Sequence, residues 1–358
     1  LRSYVAFPLA VVLLWPAICG ADSPDDPPAI SAPAETAARG KGGARVGVFY
    51  LTNRRRGEAG RGGEAYNGER GQPGFGRCEV EFTPIPIIND VAARMPFYLQ
   101  RETSSVSFTE QPDPAVFWDQ LGTALGHTSS RSAVLFVHGY NYGFERTCRM
   151  AAHMQRSLQD GATVVVFSWP SNGLPSDYVR DQADVEWSVP LLARFMEELG
   201  ARVGRDNVRV VAHSLGSRGV IFALQRLAAG PGARAAIGDL VLLAPDFDSQ
   251  SFLDLLPELA PLAGGVTLYA SSNDTPLKLS RQLSGYPRLG EGGEYLTLSE
   301  LMDTIDVSSL GRYQFTGHEY FYFHPVVAAD LVMLLNTGAR AAERPGLQAG
   351  MRDGIRYW

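Results

Sequence analysis

Cysteine is scarce. Cys19, Cys78 and Cys148 are the only three in 358 residues, too few and too widely spaced for a disulfide scaffold or a zinc site. A long basic block is missing as well. With a net charge of −6 the chain is a poor match for nucleic acid, and the short run Arg54-Arg55-Arg56 reads as a solvated turn. No Gly-rich phosphate loop follows the first expected strand, which excludes a nucleotide-binding protein of that kind. The apolar run from Val5 to Trp15 is too short to span a bilayer comfortably. What is present is ordinary globular composition, 45% apolar and 20% charged, enough for one large α/β domain or two small ones.

Residues 1–20 carry a charge at Arg2, an apolar core, and small residues around Ala17 to Ala21. That is the layout of a secretory signal peptide. Cys19 stands where a lipoprotein signal places its acylated cysteine, although Ile18 before it is bulkier than such processing prefers. The expectation is export to the periplasm or cell envelope, with membrane association through the N-terminus as an option. Residues 21–44 are rich in Pro, Ala, Asp and Gly and read as a disordered linker. Residues 45–340 form the expected domain, and 341–358 a C-terminal tail. In an exported chain Cys78 and Cys148 are able to bridge.

Within the domain, Val46 to Thr52 is expected as a first strand, Asn53 to Arg77 as a Gly- and Arg-rich loop, and Cys78 to Phe82 as a half-exposed strand of alternating character. Val106 to Phe108 reads as another strand, and Pro114 to Leu125 as a helix. From there the order is regular. Largely apolar strands at Ala133–Val137, Thr163–Trp169, Val208–Val211, Asp239–Ala244 and Val266–Ala270 alternate with helices at Phe144–Leu158, Ser176–Leu199, after Ser214 and at Phe252–Leu262. Residues 284–302 are irregular, Thr304 to Val307 reads as a last strand, and Pro325 to Leu335 as a closing helix. This pattern predicts a mainly parallel sheet with helices on both faces. In such sheets ligands bind at the carboxyl ends of the strands.

One turn stands out. Ala212-His213-Ser214-Leu215-Gly216 lies between a Val-rich strand and a helix, and it matches G-x-S-x-G with alanine for the first glycine. So tight a turn needs small residues two before and two after the serine, and Ala212 and Gly216 qualify. The bland alternative is Ser214 as the N-cap of an ordinary helix. A serine hydroxyl needs a base, a carboxylate to orient that base, and donors for the developing oxyanion.

Of the six histidines, His127 and His153 read as surface residues. His213 is adjacent to the serine in the chain and poorly directed to serve it. His138 opens the loop His138-Gly139-Tyr140-Asn141 after an earlier strand, where it would brace the oxyanion loop. His318 and His324 come last, where the base belongs in the order Ser, Asp, His. His318 is preferred because it sits in a loop, whereas His324 precedes Pro325 at a helix start. For the acid, Asp274 ends the strand Val266–Ala270, and Asp246, with Asp248 near it, follows the strand before. Asp274 is favoured and Asp246 is second, although Asp274 also suits the N-cap of a helix at Thr275-Pro276. The oxyanion donors should be the backbone N–H groups of Leu215 and Tyr140, with Gly139 letting the chain pass close.

Leu135-Phe136-Val137-His138-Gly139-Tyr140-Asn141, Phe167-Ser168-Trp169-Pro170-Ser171, Ala212 to Arg218, Ala244-Pro245-Asp246 and Gly317-His318-Glu319-Tyr320-Phe321 occur in that order. Together they resemble the bacterial α/β-hydrolases catalogued as domain of unknown function 900, often described as esterase- or lipase-like. The resemblance covers about residues 45–336. It implies the α/β-hydrolase fold, Ser214 as nucleophile and His318 as base, and it leaves Asp274 to be inferred from position. Where the family usually has Asn, this chain has Ser217, expected at the pocket edge.

The resulting expectation is a serine hydrolase that cleaves carboxylic esters with no metal or cofactor, its partner being a small-molecule ester. The alternative is a non-catalytic envelope protein that keeps the fold for binding or scaffolding, which would be expected to have a broken triad. Tyr140, Tyr142, Trp169 and Tyr320 suit either an acyl pocket or the core.

Overall fold

Two patterns of burial divide the strands. β1 (Ala44–Arg56), β2 (Tyr66–Pro84) and β3 (Glu102–Gln111) pair antiparallel. On β2, Cys78, Val80 and Phe82 point inward while Arg77 and Glu79 face water, the alternation of a half-covered sheet. β4 (Ser132–Val137), β5 (Ala162–Ser168), β6 (Val208–His213), β7 (Ile237–Leu243), β8 (Ala263–Ala270) and β9 (Asp303–Asp306) run parallel. β4, β5 and β6 are buried at every position, which requires cover on both faces. The sheet order is β3-β2-β1-β5-β4-β6-β7-β8-β9, with β1 also parallel to β5.

The helices are α1 (Pro114–Gly126), α2 (Phe144–Leu158), α3 (Tyr178–Val203), α4 (Gly216–Ala228), α5 (Ser249–Leu259), α6 (Thr275–Ser284), α7 (Tyr320–Phe323) and α8 (Pro325–Thr337). Successive strand side chains point to opposite faces, so one strand feeds two cores. Leu135 and Val137 join Phe117, Val185, Val220 and Phe252 from α1, α3, α4 and α5. Val134 and Phe136 join Phe144, Leu277, Val327 and Leu331 from α2, α6 and α8. This is the α/β-hydrolase fold. The computed structural model describes residues 44–57, 65–84, 102–172, 177–230, 236–312 and 316–358. The signal segment, Cys19, the linker as far as Gly43 and the expected helix start at Ser176 lie outside the described residues.

Three expectations are corrected. The stretch Asn53–Arg77, expected as a loop, is largely strand. β1 continues to Arg56 and β2 begins at Tyr66. Its glycines concealed the pattern, because they stand where strands crowd: a Cβ on Gly76 would lie 2.2 Å from the Thr109 carbonyl oxygen. Arg54 is not in a solvated turn and is 1% exposed. Residues 341–358 are packed rather than trailing. After a turn at Ala341–Glu343, β10 (Gly350–Arg352) and β11 (Ile355–Tyr357) form a hairpin. Trp358 then exchanges backbone hydrogen bonds with β9, donating to Thr304 and accepting from Asp306, which covers an edge that would otherwise stand open. Cys78 of β2 and Cys148 of α2 form a disulfide.

Candidate active site

The carboxyl ends of the central parallel strands carry most of the backbone strain near the expected site. Asn141 after β4, Ser214 after β6 and Ala244 after β7 have φ of 62°, 52° and 45°, a left-handed region that asparagine tolerates but that serine and alanine rarely adopt. At Ser214 what enforces it is visible. Its N–H donates 3.0 Å to the Leu243 carbonyl, and its own carbonyl accepts from Asp246 N at 3.1 Å and Ser217 N at 3.1 Å. Ala212 is fully buried under the turn. Gly216 must lack a side chain, since a Cβ there would lie 2.3 Å from the His138 carbonyl oxygen. Ser214 is therefore the apex of a strained elbow and not a simple N-cap. Ser217, expected at the pocket edge, is instead buried, and its hydroxyl donates 3.2 Å to the Ala212 carbonyl.

The loops after β8 and before α7 meet beside this elbow. Asp274 is fully buried and makes the contacts that both of its expected roles call for. One oxygen accepts the Leu277 N–H at 2.9 Å and caps α6, while the other meets His318 Nδ1 at 2.6 Å. Burial alone would push the His318 pKa down, but the Asp274 carboxylate and its hydrogen bond override burial and raise it. For Asp274, burial outweighs the attraction to His318 and the carboxyl is pushed up. The His318 loop is seated on its neighbours. Thr275 N donates to the Thr316 carbonyl at 3.0 Å, and Gly317, at φ 66°, passes so close that a Cβ would lie 2.4 Å from the Asn273 carbonyl oxygen.

The other candidates are placed differently. Asp246 is engaged by Tyr178 Oη at 2.6 Å, Ser280 Oγ at 2.7 Å and Arg288 Nε at 2.7 Å, so its carboxylate supports the wall behind the elbow. Asp248 caps α5, accepting from Ser251 N at 2.7 Å. His324 is the N-cap residue of α8, and burial lowers its pKa. His213 is buried, with its ring 4.8 Å from the rings of both His318 and Phe321. Burial first, then the neighbouring His318, push its pKa well down and keep it neutral. His153 is half-buried against Phe82 and Tyr322 rather than on the surface.

Gly139 lies against the elbow, since a Cβ there would be 2.8 Å from Ser214 Cβ and 2.8 Å from His213 Nδ1. Leu215 follows the serine at the start of α4, where N–H groups and the helix dipole favour negative charge. Tyr142, Trp169 and Tyr320 are core residues. Tyr140 is partly buried in an edge contact with Tyr178.

Three residues that bind this site together were given no role in it by the sequence. Arg54 reaches under the His138–Tyr142 loop from the end of β1. Arg146 donates to the Asn141 carbonyl at 3.2 Å and to Glu319 at 2.7 Å. Glu319, next to His318, also accepts from Tyr142 Oη. Arg146 and Glu319 thereby tie the loop after β4 to the loop that carries His318. Among the described residues no group of His, Cys, Asp and Glu could hold a metal ion, and no helix is long and apolar enough to cross a membrane.

The chain is 35% identical over 74 residues to the uncharacterized protein alr1448 of Nostoc sp., a match covering 21% of this chain and 19% of that protein. Among solved structures it is similar to the hyperthermophilic esterase from Pyrobaculum calidifontis, with 13% identity, 75% of this chain and 83% of that one covered, and a TM-score of 0.33. A thermophilic esterase, Est2, from Thermogutta terrifontis matches with 11% identity over 72% of this chain and 86% of that one, at a TM-score of 0.29. Likeness at that level says nothing of this chain's chemistry. The family model for alpha/beta hydrolases of unknown function, DUF900, matches residues 114–335, which takes in the elbow, the Asp274 loop and His318, and the chain belongs to that family.

Proposed function

We propose that the protein is a serine hydrolase of carboxylic esters. Ser214 Oγ attacks the acyl carbon, and His318 Nε2 takes its proton and later returns it to the leaving alcohol. Asp274 holds the imidazole through Nδ1, and the backbone N–H groups of Leu215 and Tyr140 receive the oxyanion. Water then attacks the acyl-enzyme by the same route and releases the acid. The observation that carries this reading is the 2.6 Å contact of His318 with the buried Asp274, beside a serine held at φ 52° on the elbow. An ordinary helix N-cap needs neither the strain nor the buried carboxylate–histidine pair.

The proposed setting is the periplasm or cell envelope, with attachment through the N-terminus. It rests on the signal-like first residues and accords with the Cys78–Cys148 bond, which suits an oxidising compartment. The proposed substrate is a small-molecule ester.

Hydrolysis of p-nitrophenyl acetate, butyrate and octanoate by wild type, Ser214→Ala and His318→Ala tests the reading. Turnover by wild type that both variants abolish supports it. Turnover that survives Ser214→Ala removes Ser214 as the nucleophile. No turnover of these or of matched thioesters and amides by a folded protein turns the reading toward a binding or scaffold role.

A further inference from the structure

Arg54 is buried in a place where no substrate or solvent can use its charge, directly beneath the loop that follows β4. Its guanidinium donates from Nε to Ser168 Oγ at 2.8 Å, from Nη1 to the Ser171 carbonyl at 2.7 Å and from Nη2 to the Tyr142 carbonyl at 2.6 Å. Nη2 also lies 3.3 Å from His138 Nε2. On the other side of the ring, His138 Nδ1 is 2.8 Å from the Gly139 carbonyl oxygen. The ring is stacked on Trp169 with centroids 4.8 Å apart, which holds its plane.

We infer that Arg54 sets the tautomer of His138 and, through it, the direction of the Gly139–Tyr140 peptide whose N–H serves as the second oxyanion donor. A guanidinium has only donors, so the nitrogen it faces must offer a lone pair. His138 Nε2 is therefore the acceptor and Nδ1 carries the hydrogen. Burial first, then the Arg54 charge, keep the ring neutral, so there is one hydrogen to place. Nδ1–H then donates to the Gly139 carbonyl. In a trans peptide the carbonyl and the following N–H point in opposite directions, so fixing the Gly139 oxygen toward His138 aims the Tyr140 N–H away from it. Gly139 lies against Ser214, which brings that peptide to the elbow. Further along the loop, Asn141 N–H is held by the Asp181 carboxylate and Tyr142 N–H by Ser171 Oγ. The Trp169 carbonyl also lies near the ring, and the Arg54 guanidinium facing Nε2 decides which nitrogen keeps the hydrogen.

The inference rests on the esterase reading for the use of the N–H, but the tautomer is measurable without activity. Long-range ¹H–¹⁵N correlation on ¹⁵N-histidine-labelled protein should give His138 a protonated Nδ1 and an unprotonated Nε2. In Arg54→Met that preference should be lost, and kcat on p-nitrophenyl butyrate should fall by about 10²-fold, as for loss of one oxyanion donor, with KM little changed. A general loss of packing would not move the tautomer in a folded variant. A protonated Nε2 in wild type overturns the inference, as does an Arg54→Met protein that keeps both the tautomer and kcat. Should that variant fail to fold, the wild-type tautomer decides alone. A wild type with protonated Nδ1 that turns over no ester refutes the esterase reading and leaves the brace standing. An active wild type with protonated Nε2 does the reverse.

Discussion

Asp274→Asn separates two jobs that one carboxylate performs. The oxygen that caps Leu277 N at 2.9 Å is retained by an asparagine, so the start of α6 should hold. Replacing a cap outright costs about 1 kcal/mol, and the amide avoids most of that. The other oxygen, 2.6 Å from His318 Nδ1, is replaced by the amide NH2, a donor that favours the wrong tautomer. In a Ser-His-Asp system that change lowers kcat about 10⁴-fold, which corresponds to about 5 kcal/mol of transition-state stabilisation. Asp246→Asn is the counterpart. It weakens a buried pair with Arg288, 5% exposed on each side chain, and breaking such a pair costs about 3–5 kcal/mol. The pair of variants should therefore diverge. Asp274→Asn keeps its Tm within a few degrees and loses p-nitrophenyl butyrate turnover, while Asp246→Asn loses Tm and keeps far more of its rate. The reverse pattern, with a folded, inactive Asp246→Asn and an active Asp274→Asn, would refute the assignment of the acid.

Further outcomes follow from the same geometry. His318 must be neutral to accept a proton, and its pKa is raised above the usual 6.5; kcat/KM should fall as pH drops through a midpoint above that value. In Asp274→Asn burial acts on His318 against only the weaker pull of Glu319 and Asp246, so the residual activity should show its acid limb at lower pH, and a limb that stays put would contradict the coupling. Gly139→Ala places a methyl 2.8 Å from Ser214 Cβ. It should lower kcat/KM by about 10²-fold through misplacement at the reacting centre, with circular dichroism unchanged. The Cys78–Cys148 bond closes a loop of 70 residues, worth about 4 kcal/mol in the chain-entropy account. Dithiothreitol should lower the Tm of wild type and leave that of Cys148→Ala where it is.

The parallel half of the fold was legible because strands covered on both faces are near-continuous apolar runs, such as Ala133–Val137 and Val164–Phe167. The antiparallel half was obscured by glycines at crowded strand positions such as Gly76, which carry no hydrophobic signal. The elbow was readable from small residues around one serine. Asp274 was readable as a strand-end carboxylate, although its dual use as cap and partner of His318 needed coordinates. Arg54 was hidden for a different reason. Its sequence neighbours Arg55 and Arg56 are exposed, and its burial depends on Ser168, Ser171 and Tyr142, which approach only when β5 and the loop after β4 fold beside β1. Arg146 and Glu319 likewise meet across 173 residues, beyond the reach of local pattern.

The central claim is that Ser214 is an activated nucleophile. Incubating the purified protein with a fluorophosphonate and mapping the adduct by mass spectrometry tests it most directly. The account predicts one adduct, on Ser214, absent in Ser214→Ala and strongly slowed in His318→Ala. An adduct on another residue, or a folded wild type that takes none while a known serine esterase labels fully alongside it, would contradict the account.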